Sequence, residues 1–132
     1  MFVPDLPNTD HPDFKEQLSF LEKNYKDLID ENTIIVGHSL GCFLAKQFIV
    51  KCNKKIKKFI SVAPVHDELI IDDEDVNRYI KDITTDTKKL NKLVGETFLF
   101  ISQNDPLIPH EAAKTYYEKS FKDAKIVSFQ DK

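Results

Sequence analysis

Ile34-Ile35-Val36-Gly37-His38-Ser39-Leu40-Gly41-Cys42-Phe43-Leu44-Ala45-Lys46-Gln47-Phe48-Ile49 is the stretch that decides the fold. An apolar β-type run leads straight into Gly37-x-Ser39-x-Gly41, and a helix-forming run leads straight out. Strand, sharp turn and helix are the setting of a nucleophile elbow. In such a turn the serine takes a strained backbone conformation that lifts its hydroxyl clear of the sheet edge. The flanking positions, Gly37 and Gly41, are read as small because strand and helix nearly touch there. The helix N-terminus favours negative charge on an attacked carbonyl, and the Leu40 backbone N–H is a candidate oxyanion donor. The competing reading is a plain strand-to-helix turn with Ser39 capping the helix. His38, beside the serine in a sharp turn, reads as a packing residue.

Outward from this stretch the pattern alternates. Phe14, Leu18, Leu21, Tyr25 and Leu28 form one apolar face of a helix from about 12 to 29, with Asp10 as expected cap and Pro12 in the first turn. Lys54, Lys55, Lys57 and Lys58 read as a solvated connection. Strands are expected at 33–36, 59–63, 97–102 and 125–129, and a helix at 109–121 with Ala112, Ala113, Tyr116, Tyr117 and Phe121 facing inward. The acidic segment 65–93 carries short helical patterns around 76–83 and 86–94, and reads as a cap or as connecting helix. Strands alternating with helices predict an α/β fold: a doubly wound, mainly parallel sheet with flanking helices, in a single domain spanning 1–132.

Composition narrows the function classes. The chain has 132 residues and a net charge of −3, and Arg78 is the only arginine among its 19 basic residues. Nucleic-acid recognition leans on basic fields and arginine forks, so no nucleic-acid partner is expected. No apolar run approaches the roughly 20 residues of a membrane span, and the N-terminus lacks a signal-peptide pattern. Cys42 and Cys52 fall on one helix, about 15 Å apart by helical rise, too far to pair. Unpaired thiols suit a reducing compartment, the cytoplasm. The 4 histidines are scattered, so no metal is expected. The turn after Val36 has neither dinucleotide nor P-loop glycine spacing.

A serine nucleophile needs a base oriented by a carboxylate. In open α/β sheets the loops after strand C-terminal ends line the active edge. Asp105, after the strand ending near Ser102, is placed for the carboxylate role in the order Ser, Asp, His. Its other reading is a turn initiator before Pro106. Only Gln130, Asp131 and Lys132 follow Phe129, and none is histidine. His11, His66 and His110 are the candidate substitutes, each with an ordinary loop or surface role as the alternative.

The ordered motifs Pro4-Asp5-Leu6-Pro7-Asn8, His11-Pro12, Gly37-His38-Ser39-Leu40-Gly41 and Ser102-Gln103-Asn104-Asp105-Pro106-Leu107-Ile108-Pro109 resemble the retinoblastoma-binding serine hydrolase and YdeN-like family of small α/β hydrolases. The resemblance covers nearly the whole chain. It implies Ser39 as nucleophile, Asp105 as the acid of the triad, an ester or related acyl substrate, and no cofactor. Family members carry an additional N-terminal strand with an oxyanion loop, and a Gly-His segment after the last strand. Relative to them this chain is trimmed at both ends. The expectation is therefore a serine hydrolase acting through an acyl-enzyme on Ser39, weak or inactive for want of the C-terminal histidine. The alternative is a non-catalytic interaction module that takes a protein partner or a second copy at an open sheet edge.

Overall fold

Three helix starts among the described residues are set by an aspartate whose carboxylate caps the first turn. The structure, a computed structural model, describes residues 1–130. Helix α1 (Phe14–Tyr25) continues into a 3₁₀ turn, Lys26–Leu28. Its cap is Asp13, whose carboxylate accepts the Glu16 amide at 3.0 Å. Asp10, the expected cap, lies in the exposed turn before it. Strand β1 (Ile34–His38) runs into α2 (Leu40–Cys52), which ends at Asn53 in the left-handed conformation. Strand β2 (Ile56–Val62) is followed by α3 (Glu74–Ile80) and α4 (Thr87–Leu93), capped by Asp73 and Asp86. Strand β3 (Val94–Ser102), helix α5 (His110–Ser120) and strand β4 (Lys125–Phe129) complete the described chain.

Two strands start earlier than their apolar runs suggest. Lys57 and Lys58, read as a connection, lie within β2; Lys57 points to solvent and Lys58 reaches Glu96 at 3.9 Å. β3 begins at Val94 beside β2, and a Cβ on Gly95 would lie 2.7 Å from the Lys57 carbonyl oxygen. Glycine there permits the close approach of the two backbones.

The sheet is parallel throughout, in the order β1-β2-β3-β4. Right-handed crossovers in an unreversed order put the connecting helices on one face. Burial follows: Phe59, Ser61, Leu99 and Ile101 are buried on the helical side, while Val36 on the other face is 63% exposed. A doubly wound sheet is built of two arms diverging from a switch point, and the described strands form one arm. The α/β class with a parallel sheet and flanking helices is as the sequence implies.

The core lies between sheet and helices, around Phe43, Phe59, Leu90, Leu99, Ala113 and Tyr117. Ala112, expected inward, is exposed on α5. The acidic segment packs on the helical layer. Tyr79 of α3 stacks edge-on with Phe14 and Phe43, and its hydroxyl donates to Gln17 Oε1 at 2.7 Å. That contact explains why Gln17, a polar residue of α1, is buried.

Candidate active site

Ser39 stands between β1 and α2 with φ 54° and ψ −123°. A non-glycine residue rarely adopts that backbone conformation, which costs on the order of 1–3 kcal/mol. Its side chain makes no capping hydrogen bond to α2, so the helix-cap reading does not hold. Backbone contacts hold the strained peptide instead. The Ser39 amide donates to the Val62 carbonyl at 3.0 Å, and the Ser39 carbonyl accepts from Val65 at 3.0 Å and from Cys42 at 3.1 Å. Leu40 opens α2, where the first amides lack intrahelical acceptors. Among the described residues no loop or strand carbonyl accepts its N–H.

The two glycines of the motif differ. A Cβ on Gly37 would sit 2.8 Å from Cys42 Cα, so strand and helix do nearly touch there. At Gly41 nothing lies within 4 Å of the Cβ position. The steric reason expected for Gly41 is absent, because its Cβ direction opens into an apolar groove along β1. That groove, about 730 Å³, is lined among others by Phe2, Tyr25, Val36, Gly37 and Leu44.

Asp105 follows β3 at the same edge of the sheet. Its Oδ1 accepts the amides of Leu107 at 2.8 Å and Ile108 at 2.9 Å. Among the described residues Oδ2 has no hydrogen-bond partner. Turn-former and orienting carboxylate are thus compatible: one oxygen fixes the loop and the other is free for a base. The loop is tied to the end of β4 by the Gln103 amide on the Phe129 carbonyl at 2.6 Å.

The histidines lie elsewhere. His11 and His38 are exposed. His38 does not pack, because it ends an edge strand and points, like Val36, toward the uncovered face. His110 Nε2 is 2.9 Å from Ser128 Oγ, and its Nδ1 is 3.1 Å from Glu111 Oε1. His66 is 1% exposed and stacked on Tyr116, and both ring nitrogens lack a partner. Burial and the nearby Lys46 charge lower its pKa to about 4. Among the described residues no histidine hydrogen-bonds to Ser39 or Asp105. Cys42 is no rival nucleophile, since burial pushes its thiol up to about 12. The described residues include no cluster of ligands suited to a metal ion.

Sequence reasoning missed the buried charges behind the elbow. Lys46 of α2 is 0% exposed and meets Asp67 at 3.3 Å. Burial lowers the Lys46 pKa, while the Asp67 charge opposes that shift. For Asp67 burial would raise the pKa, but Lys46 and the Thr85 amide and hydroxyl outweigh it and hold the carboxylate low. Lysine inside an apolar run at helical spacing was the available signal.

A parallel sheet whose first strand ends in a strained serine before a helix defines an α/β-hydrolase fold. The chain belongs to the serine hydrolase family, whose model matches residues 5–131. No curated protein matches it. Its structure is similar to that of the ydeN gene product of Bacillus subtilis, with TM-score 0.84 and 21% identity over 97% of this chain and 67% of the other. It is also similar to 2-hydroxy-6-oxo-6-phenylhexa-2,4-dienoate hydrolase from Rhodococcus sp. strain RHA1, with TM-score 0.63 and 15% identity over 88% and 62%. For a monoacylglycerol lipase of Paleococcus ferrophilus the values are 0.58 and 16%, over 90% and 66%. The chain thus spans about two thirds of the length of these proteins or slightly less.

Two outcomes follow from the site's geometry. Gly37→Ala is expected to destabilise by about 1–3 kcal/mol through backbone overlap, whereas Gly41→Ala is neutral or gains up to about 1 kcal/mol as a helix former. Urea unfolding distinguishes them, and equal effects would contradict the close contact at Gly37. Because the folded pKa of His66 lies below its unfolded value, its burial favours unfolding as pH falls from about 6.5 toward about 4. His66→Phe should flatten that part of the stability–pH curve by about 3 kcal/mol, and an unaltered slope would show that His66 does not cause it.

Proposed function

We propose that this chain carries the nucleophilic half of an ester- or acyl-hydrolysing site, with Ser39 as the group that is acylated. The observation that carries the reading is the Ser39 backbone at φ 54° and ψ −123°, between a strand and a helix, with no cap to explain the serine. The hydroxyl attacks an acyl carbonyl, the Leu40 amide stabilises the oxyanion, and the alkoxide leaves with a proton. The Asp105 carboxylate orients and stabilises the base that removes the Ser39 proton. No cofactor is needed for this chemistry. The family match and the hydrolase neighbours support the class of reaction.

The base is the member that the described histidines do not supply in place. Turnover by these residues alone is expected to be slow, at a residual level of about 10³–10⁴ over water. Slow proton transfer also retards deacylation, so an acyl group on Ser39 outlives a normal intermediate. The free thiols Cys42 and Cys52 fit a reducing compartment such as the cytoplasm. No helix among the described residues is long and apolar enough to cross a membrane.

A second reading is favoured by the outer edge of β1. Ile34 and Val36 there are 49% and 63% exposed beside the apolar groove, and no described strand pairs with that edge. A non-catalytic module would use it to take up a strand from a partner protein or a second copy.

Labelling by a fluorophosphonate probe separates the readings. The expected result is one adduct, located on Ser39 and abolished by Ser39→Ala. Equal labelling of native and Ser39→Ala protein removes Ser39 from the reaction and leaves the interaction module.

A further inference from the structure

Lys46 lies seven residues after Ser39 on the helix that grows from the elbow, and its side chain is fully buried. Nζ meets Asp67 Oδ1 at 3.3 Å, donates to the Tyr116 hydroxyl at 3.1 Å and lies 4.5 Å from the centre of that ring. Asp67 accepts the Thr85 amide at 2.6 Å and the Thr85 hydroxyl at 2.8 Å, and Gln47 donates to the same hydroxyl at 2.8 Å. A buried ion pair is rarely more stable than apolar groups of equal size. What this pair does supply is a fixed position for Asp67.

That position matters because of what precedes it. Residues 62–67 form a strap across the elbow. Val62 accepts the Ser39 amide, and Val65 donates to the Ser39 carbonyl, both at 3.0 Å. The strap's start is held by the sheet, where the Ala63 amide donates to the Phe100 carbonyl at 2.9 Å. Ala63 itself has φ 45°, so the chain turns sharply off β2. Asp67 anchors the far end of the strap to α2. The contacts close a ring: Ser39, α2, Lys46, Asp67, Val65 and back to Ser39.

We propose that Lys46 and Asp67 are positioning residues for Ser39, acting through the strap that grips the Ser39 carbonyl. The proposal rests on reading Ser39 as the nucleophile. It assigns the buried charges to the geometry of the elbow rather than to stability.

The test is the double variant Lys46→Met/Asp67→Asn, which removes both charges at similar volume and leaves Thr85 an acceptor. Amide hydrogen exchange of the folded variant is expected to show Val65 protection reduced about tenfold or more, with the α2 amides of Phe48 and Ile49 within about twofold of native. In fluorophosphonate labelling the maximal inactivation rate should fall about tenfold or more while the probe's binding constant is unchanged. Unchanged Val65 protection, or an unchanged inactivation rate in a folded variant, overturns the proposal. If the double variant does not fold, Thr85→Ala loosens Asp67 with Lys46 intact, and Val65 protection must then fall for the proposal to stand. Failure of the native chain to label would sink the nucleophile reading itself, whereas the exchange result decides the strap independently.

Discussion

The backbone of Ser39 is the constraint on which the rest depends. A residue with φ 54° and ψ −123° persists only where its surroundings over-determine it. Here they do so from three sides. β2 supplies the Val62 carbonyl, the chain after β2 supplies the Val65 amide, and α2 supplies the Cys42 amide. Gly37 removes the one Cβ that would force β1 and α2 apart. Parallel pairing of β1 with β2, with His38 opposite Val62, brings the ends of the two strands level so that these contacts can form.

The same register explains what the molecule leaves uncovered. Four parallel strands in unreversed order place their helices on one face. On the other face Val36, Val127 and Phe129 are exposed, with Lys58 and Lys125 near the Phe98 ring at 5.6 and 5.2 Å. Those lysines interrupt an otherwise apolar surface, and both approach Glu96.

Much of this was legible in the chain because the signals were local. β1, the turn and α2 follow from Ile34 to Ile49 by residue type alone, and β4 has the expected bounds. Boundaries failed where tertiary pairing overrode composition. Lys57 and Lys58 look like a solvated link, yet backbone hydrogen bonding to β1 and β3 makes them strand. The α1 cap moved from Asp10 to Asp13 because only Asp13 reaches the Glu16 amide. The turn that holds Ser39 and the loop that holds Asp105 were readable as places in the fold from order and spacing, but the strap was not. Lys46 and Asp67 are 21 residues apart, and the lysine's place in an apolar run signals its burial without naming its partner. From sequence His66 reads as a candidate base or as a surface or loop histidine; its burial against Tyr116 depends on α5, which comes much later in the chain.

The central claim is that the strained serine is acylated. It is tested most directly by mixing the protein with p-nitrophenyl acetate, quenching in acid and mapping the acetyl group by mass spectrometry of the peptides. The account predicts a single acetylated peptide containing Ser39, persistent because no described histidine is placed to speed its hydrolysis. Acetyl groups spread over lysines with none on Ser39 would contradict it.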